Sequence, residues 1–196
     1  MIVGLGNPGR EYAQTRHNCG FMALARLAER RRAVWKNERR FQARLAHTKW
    51  ESTPLILCEP ETFMNRSGVA VQAVAVFYKV PVSQVLVVVD DADLPLGGLR
   101  LRGSGSSGGH HGLESIEQHL GTREYARLRI GIGRRTEGER EITEYVLGRF
   151  EATEQPLLDA SLEKACDQIE CWMTAGVREA MNQFNGTINS PLVKES

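Results

Sequence analysis

Val85-Leu-Val-Val-Val-Asp90 begins with five apolar residues and ends on a carboxylate. A run with no polar alternation has no side to show to water, so it reads as a strand covered on both faces, the position of a central strand in a sheet. Further strand-like runs lie at residues 2–5, 41–48, 54–58, 99–102 and 127–132. Between them the apolar spacing becomes helical: Phe21, Leu24, Ala25 and Ala28; Val69, Val71, Val74, Phe77 and Tyr78; Leu113, Ile116 and Leu120. A longer helix is predicted to start near Thr153, with Leu158, Leu162, Ala165, Ile169, Trp172 and Met173 on its inner side and Gly176 as a break. Strands and helices in alternation predict an α/β fold, a single domain with a mixed twisted sheet and helices on both faces. The domain is expected over residues 1–185, with residues 186–196 as a mobile C-terminal tail.

A chain of 196 residues with 41% hydrophobic and 25% charged residues has the composition of a globular protein. It can bury a continuous core without disulfide or metal staples. No run approaches the roughly 18 apolar residues of a membrane-spanning helix, and residues 1–5 lead straight into a glycine turn, so neither a membrane span nor a leader peptide is expected. Cys19, Cys58, Cys166 and Cys171 lack the paired spacings of a zinc site and read as reduced, buried thiols, which places the chain in the cytoplasm. Net charge is +1, so any contact with nucleic acid must come from local clusters: Arg30, Arg31 and Arg32 with Arg39 and Arg40, Arg100 with Arg102, and residues 123–135. Residues 103–109 consist only of glycine and serine, which on composition alone is a flexible surface loop.

Polar residues gather where strands end. Asn7 follows the first strand and Asp90 ends the buried one, and in open α/β sheets the crevice beyond the carboxyl ends of strands is where ligands bind. Asn65, a short loop after the strand at 54–58, can cap the next helix or reach the same rim. His17 precedes a helix beginning near Cys19. There the helix dipole disfavours the imidazolium and keeps a neutral base, while a carboxylate such as Asp90 would fix the tautomer. A lone histidine is more often structural, but a base, an orienting acid and nearby amides are the parts of a water-activating hydrolase.

Other patterns exclude chemistry. Gly4, Gly6 and Gly9 have dinucleotide-fingerprint spacing, yet Pro8, Arg10, Glu11 and Gln14 supply no apolar helix, so no nicotinamide site is expected. Asp90, Asp91 and Asp93 with His110 and His111 do not predict a metal centre, because Asp90 and Asp91 face opposite sides of a strand. No serine sits in a Gly-x-Ser-x-Gly elbow.

Gly4-Leu-Gly-Asn-Pro-Gly9, Tyr12, Thr15-Arg-His-Asn18, Thr62-Phe-Met-Asn65 with Ser67-Gly68, residues 90–95, Gly108-Gly-His110 and Leu128-Arg-Ile-Gly-Ile-Gly133 occur in one order along the chain. In these blocks it closely resembles bacterial-type peptidyl-tRNA hydrolase, over residues 1 to about 184. The resemblance implies hydrolysis of the ester between a peptide's carboxyl group and the 3′-terminal ribose of tRNA, without cofactor or metal, by a monomer. His17 then matches the base that takes a proton from water, and Asp90 the acid that stabilises its basic form. Asn7 matches the residue that distinguishes a blocked from a free α-amino group. Asn65, with Tyr12, Phe63 and Met64, matches the wall around the 3′-terminal nucleotide and the peptide, and His110 and His111 join that binding set. Arg102 and Arg129 match basic residues set against the terminal phosphate of tRNA, which gives the loop at 103–109 an anion-binding reading, whereas residues 30–40 read as a solvated helix face.

The alternative is a non-catalytic RNA-binding relative of the same fold, but His17, Asp90, Asn7 and Asn65 are all present, and a binder has little chemical use for a base with its orienting acid. A metal-dependent peptidase or nucleosidase on a similar sheet would reveal itself by chelator sensitivity. One departure from the family pattern is His111, where asparagine is usual: an amide is replaced by a ring that can acquire charge. The acid limbs of the pH–rate profiles of wild type and His111→Asn are therefore expected to differ; superimposable profiles would contradict a role for this ring.

Overall fold

A computed structural model describes residues 1–133 and 139–188, the side chains of 139–141 excepted. Its centre is the run read as doubly covered: β5 (Leu86–Asp91) is buried at every position. It pairs in parallel with β1 (Ile2–Gly4) on one side and with β7 (Ala126–Gly131) on the other. Beyond β1 lie β4 (Thr53–Pro60), parallel to it, then the antiparallel β3 (Ala43–Trp50) and β2 (Trp35–Glu38). Beyond β7 lie β6 (Gly98–Arg102) and β8 (Gly186–Thr187), both antiparallel, giving the order β2-β3-β4-β1-β5-β7-β6-β8. The sheet is thus mixed, with a parallel centre and antiparallel flanks.

Side-chain alternation divides β5 between two cores. Leu86 and Val88 join Leu24 and Leu27 of α1 (Cys19–Arg30) and Leu162 and Ile169 of α5 (Gln155–Phe184) on one face. Val87 and Val89 join Val71 and Val74 of α2 (Ser67–Phe77) and Leu113 and Ile116 of α3 (His111–Leu120) on the other. Each fully buried side chain of this kind contributes about 1.5–3 kcal/mol. Gly176 interrupts α5 with φ 82°, as its sequence position predicts.

The remaining differences have local causes. Phe41 does not start a strand; it closes the 3-10 turn Arg39–Phe41, and Gln42 at φ 50° reverses the chain before β3. β2, whose middle two residues are exposed, lacks the apolar signal that predicts an element, whereas α4 (Glu139–Leu147) carries Ile142, Tyr145 and Val146 at helical spacing, a short signal that the sequence-based expectation omits. The boundary drawn at 185 is too early, because Gly186 and Thr187 pair with Leu99 and Gly98; residues 189–196 lie outside the described part. Cys19, Cys58 and Cys166 are buried, but Cys171 is only partly so. The arginines at 30 and 31 are not simply solvated: with Arg26 they form an ion-pair ladder to α5, Arg26 to Glu163 at 2.8 Å, Arg30 to Asp167 at 2.7 Å and Arg31 to Glu170 at 2.5 Å. Arg134 and Arg135 of the third basic cluster fall outside the described residues.

The contact that seats α1 is made of backbone. A Cβ on Gly20 would lie 2.3 Å from the Leu5 amide nitrogen and 2.4 Å from the Val88 carbonyl oxygen, and one on Gly4 would lie 2.4 Å from the Gly20 carbonyl oxygen. The helix start therefore rests on the carboxyl ends of β1 and β5, with residues 15–18 at their rim. Gly20→Ala is expected to destabilise the protein by about 3 kcal/mol or more, since only backbone can move to make room; an unchanged urea midpoint would contradict this packing.

Candidate active site

Asp90 sits at the rim just past the apolar part of β5 and is 3% exposed. Its Oδ1 lies 2.8 Å from His17 Nδ1 and 3.2 Å from His110 Nε2, and the two rings are 5.0 Å apart between centroids. His17 occupies a single 3-10 turn, Arg16–Asn18, that runs directly into α1. His110 is the N-cap of α3 and accepts the Gly112 and Leu113 amides on Nδ1 at 3.2 and 3.4 Å.

These bonds settle the protons. Because backbone N–H groups point at His110 Nδ1, that atom must be bare, so Nε2 carries the hydrogen and donates to Asp90. A carboxylate can only accept, so a neutral His17 also donates, from Nδ1, which leaves its Nε2 lone pair free. No described residue hydrogen-bonds that nitrogen. Among the described residues His17, Asp90 and His110 are also the only convergence of candidate metal ligands. It fits a cation poorly, since the helix cap fixes a proton on the His110 atom that would have to ligate. Asp91 faces away, bonding the Asp93 amide and Arg129, so the wider aspartate cluster does not form.

Burial alone would push the His17 pKa down and the Asp90 pKa up. Their mutual attraction and hydrogen bonds, with that of His110, outweigh burial: the imidazole is raised above its ordinary 6.5 and the carboxyl is held well below the usual carboxylate range. The sequence places the ring where a helix dipole disfavours the imidazolium; in the structure its attraction to Asp90 outweighs burial, and the ring is a stronger base than usual.

Asn7 is buried at the rim, where the Asn18 side chain clamps its backbone, accepting the Asn7 amide at 2.9 Å and donating to its carbonyl at 3.0 Å. The Asn7 Oδ1 accepts the Met64 amide at 2.9 Å, so its Nδ2 remains as a donor. Met64 is buried and Phe63 is 61% exposed. A side chain on Gly112 would meet the Met64 sulfur at 2.6 Å and the His110 ring at 3.1 Å, so these three share one wall. Asn65 lies in the 3-10 turn Met64–Arg66, exposed and without a described partner; it does not cap α2, whose N-cap position is Arg66. Tyr12 is half-buried in the turn that follows Gly9, where no helix opens. His111, at the start of α3, is exposed and paired with Glu114 at 3.0 Å, outside the His17–Asp90–His110 group.

Arg102 is exposed on β6, and among the described residues its guanidinium bonds only its neighbour's carbonyl. Arg129 is turned inward, to Asp91 at 3.3 Å and to the Ser106 and Ser107 carbonyls at 3.1 and 2.7 Å. Arg127, fully buried, holds the Gly105 and Ser106 carbonyls and Glu117. The glycine-serine stretch is thus anchored by two guanidiniums rather than loose. Sequence reasoning missed Arg127 and the Asn18 clamp; the strand alternation that places Arg127 and Arg129 on one face was the available signal for the former.

Asp90→Asn removes what raises His17 while burial remains, so the imidazole pKa is expected to fall below 6.5. The acid limb of the activity profile should move to lower pH together with a loss of turnover. A limb that stays in place would contradict the assigned pairing.

The profile of the peptidyl-tRNA hydrolase family matches residues 1–192. Peptidyl-tRNA hydrolases from a Synechococcus species and from Syntrophomonas wolfei are 50% and 46% identical over 185 residues, covering 94% of this chain and 82% and 99% of theirs. The crystal structure of peptidyl-tRNA hydrolase from Acinetobacter baumannii matches with a TM-score of 0.90 at 38% identity, over 95% of this chain and 94% of that one. The residues around the paired imidazoles and the sheet that carries them lead to one assignment: this chain belongs to the peptidyl-tRNA hydrolase family.

Proposed function

We propose that this protein hydrolyses the ester between a peptide and the 3′-terminal ribose of tRNA, with His17 as general base. The observation that carries the reading is the bare Nε2 of an imidazole whose other nitrogen is tied to Asp90 at 2.8 Å. Water gives its proton to that nitrogen as its oxygen adds to the ester carbon. The oxyanion that forms needs preorganised donors, and the unpartnered Asn65 amide is suited to that task. On collapse the ester C–O bond breaks, the ribose oxygen takes the proton from the His17 imidazolium, and free tRNA and a peptide acid leave.

The free donor of Asn7 is suited to a carbonyl of the first peptide unit, which a blocked substrate has and an unblocked one lacks. Phe63 and Tyr12 offer faces for the terminal base, a contact of about 1–3 kcal/mol. Arg102 presents an uncommitted guanidinium to phosphate, and Arg129 serves the same region by holding the loop at 103–109 in shape, with His110 and His111 at its far end. A purely RNA-binding role would leave the doubly held carboxylate and the bare base without a purpose. With tRNA as its substrate, the protein would work in the cytoplasm, as a monomer. No described helix is long and apolar enough to cross a membrane.

The deciding assay is release of acid from an N-acetyl-aminoacyl-tRNA beside the unblocked form, with cleavage expected for the first alone. His17→Ala should lower turnover by about 10²–10⁴-fold while tRNA affinity persists; near-normal turnover would exclude it as the base. Arg102→Ala should weaken tRNA binding and reduce the salt slope by about one unit, and an unaltered slope would remove it from the phosphate contacts.

A further inference from the structure

The turn that carries His17 is three residues long and has no side-chain N-cap, too short to fix its own geometry. Its flanking side chains, Arg16 and Asn18, are both buried and both reach away from the ring. Asn18 ties the turn to Asn7, as described. Arg16 ties it to the far side of the rim. Its amide donates to the Gly148 carbonyl at 2.9 Å, its Nη1 donates to the Arg149 carbonyl, and its Nη2 meets Glu154 Oε2 at 2.7 Å. The guanidinium carbon lies 4.4 Å from the Tyr145 ring centroid and 5.0 Å from that of Phe150. Tyr145 in turn donates to the Ile132 carbonyl at 2.8 Å, just past β7.

Burying a guanidinium is costly unless it is paired, and here the ion pair, the carbonyl and two ring faces converge on one side chain. An apolar residue could fill the space between Tyr145 and Phe150, but it could not bond Arg149 and Glu154 at once. The Arg16 amide and a Thr15–Arg149 backbone bridge already join the His17 turn to the segment between α4 and α5; the cation adds a second, side-chain tie that reaches Glu154 beside the start of α5.

We propose that Arg16 is a positioning residue for the base: it holds the turn from the side opposite Asn18, so that the His17 ring meets Asp90 with its Nε2 open. Arg16 touches no reacting atom and acts through His17, so the proposal rests on His17 being the base. Among the described residues, the charged and titratable groups in contact with the ring are Asp90 from β5 and His110 from the start of α3, while the Arg16 cation is directed at Glu154.

The test compares wild type, Arg16→Met, Arg16→Lys, Glu154→Gln and His17→Ala on N-acetyl-aminoacyl-tRNA, together with NMR titration of the His17 ring in the absence of substrate. Arg16→Met should lower kcat by about 10- to 100-fold, the effect of a misplaced catalytic group, with KM little changed. Its His17 titration should move down toward an ordinary imidazole as the Asp90 contact loosens. Arg16→Lys should recover part of both, and Glu154→Gln, which keeps the arginine and its rings, should show the same pattern more weakly. Wild-type kcat and an unmoved titration in Arg16→Met, even with a lower melting temperature, would overturn the proposal. If Arg16→Met does not fold, the same null result in Glu154→Gln overturns it. A wild type that cannot cleave, or a His17→Ala that can, would bring down the assignment of the base instead.

Discussion

A single buried oxygen, Oδ1 of Asp90, accepts from two imidazoles, and the geometry of the rim follows from satisfying it. A carboxylate that is 3% exposed must be hydrogen-bonded to remain charged, and the sheet offers it no amide on that side chain. The donors come instead from the turn before α1 and from the cap of α3, two segments on opposite faces of the sheet. His110 does both jobs with one ring, accepting the helix amides on one nitrogen and donating to the acid with the other. The helix cap is therefore part of the electrostatics around the His17 ring, because it decides which His110 nitrogen faces Asp90.

Positions this close tolerate little play, and the surrounding structure supplies stiffness from backbone contacts and amide clamps. Gly4 and Gly20 let α1 rest on the rim with no side chain between. From there a chain of hydrogen bonds runs from Asn18 through Asn7 to the Met64 amide, joining the turn, the end of β1 and the wall beside Asn65. Beyond Asp90, Arg127 and Arg129 hold the loop that leads into α3. The elements that carry His17, Asp90 and His110 are thus braced from both sides of the central strand.

Much of this was legible in the sequence where local patterns carry the information. The unbroken apolar run ending in Asp90 revealed both the central strand and the acid at its carboxyl end, and the position of His17 before a helix placed it at the same rim. What local patterns do not encode is which polar groups meet across the fold. Asp90 and His110 are separated by 20 residues, and Arg16 and Glu154 by 138; neither meeting leaves a trace in spacing. The same limit hid the inward turn of Arg129, which alternation along β7 could place on a face but not bury. Asn65 shows the converse: residue type suited it to capping, yet the chain puts Arg66 at that position and leaves the amide exposed. The edges β2 and β8 were missed because their pairing comes from neighbouring strands rather than from apolar alternation of their own.

The central claim is an arrangement of protons, and ¹⁵N NMR of the ring nitrogens of His17 and His110 in the uncomplexed protein, above the pH at which both are neutral, measures it directly. Opposite tautomers are expected, with hydrogen on Nδ1 of His17 and on Nε2 of His110. Hydrogen on Nε2 of His17 would leave that ring without the lone pair needed to take a proton from water and would exclude it as the base.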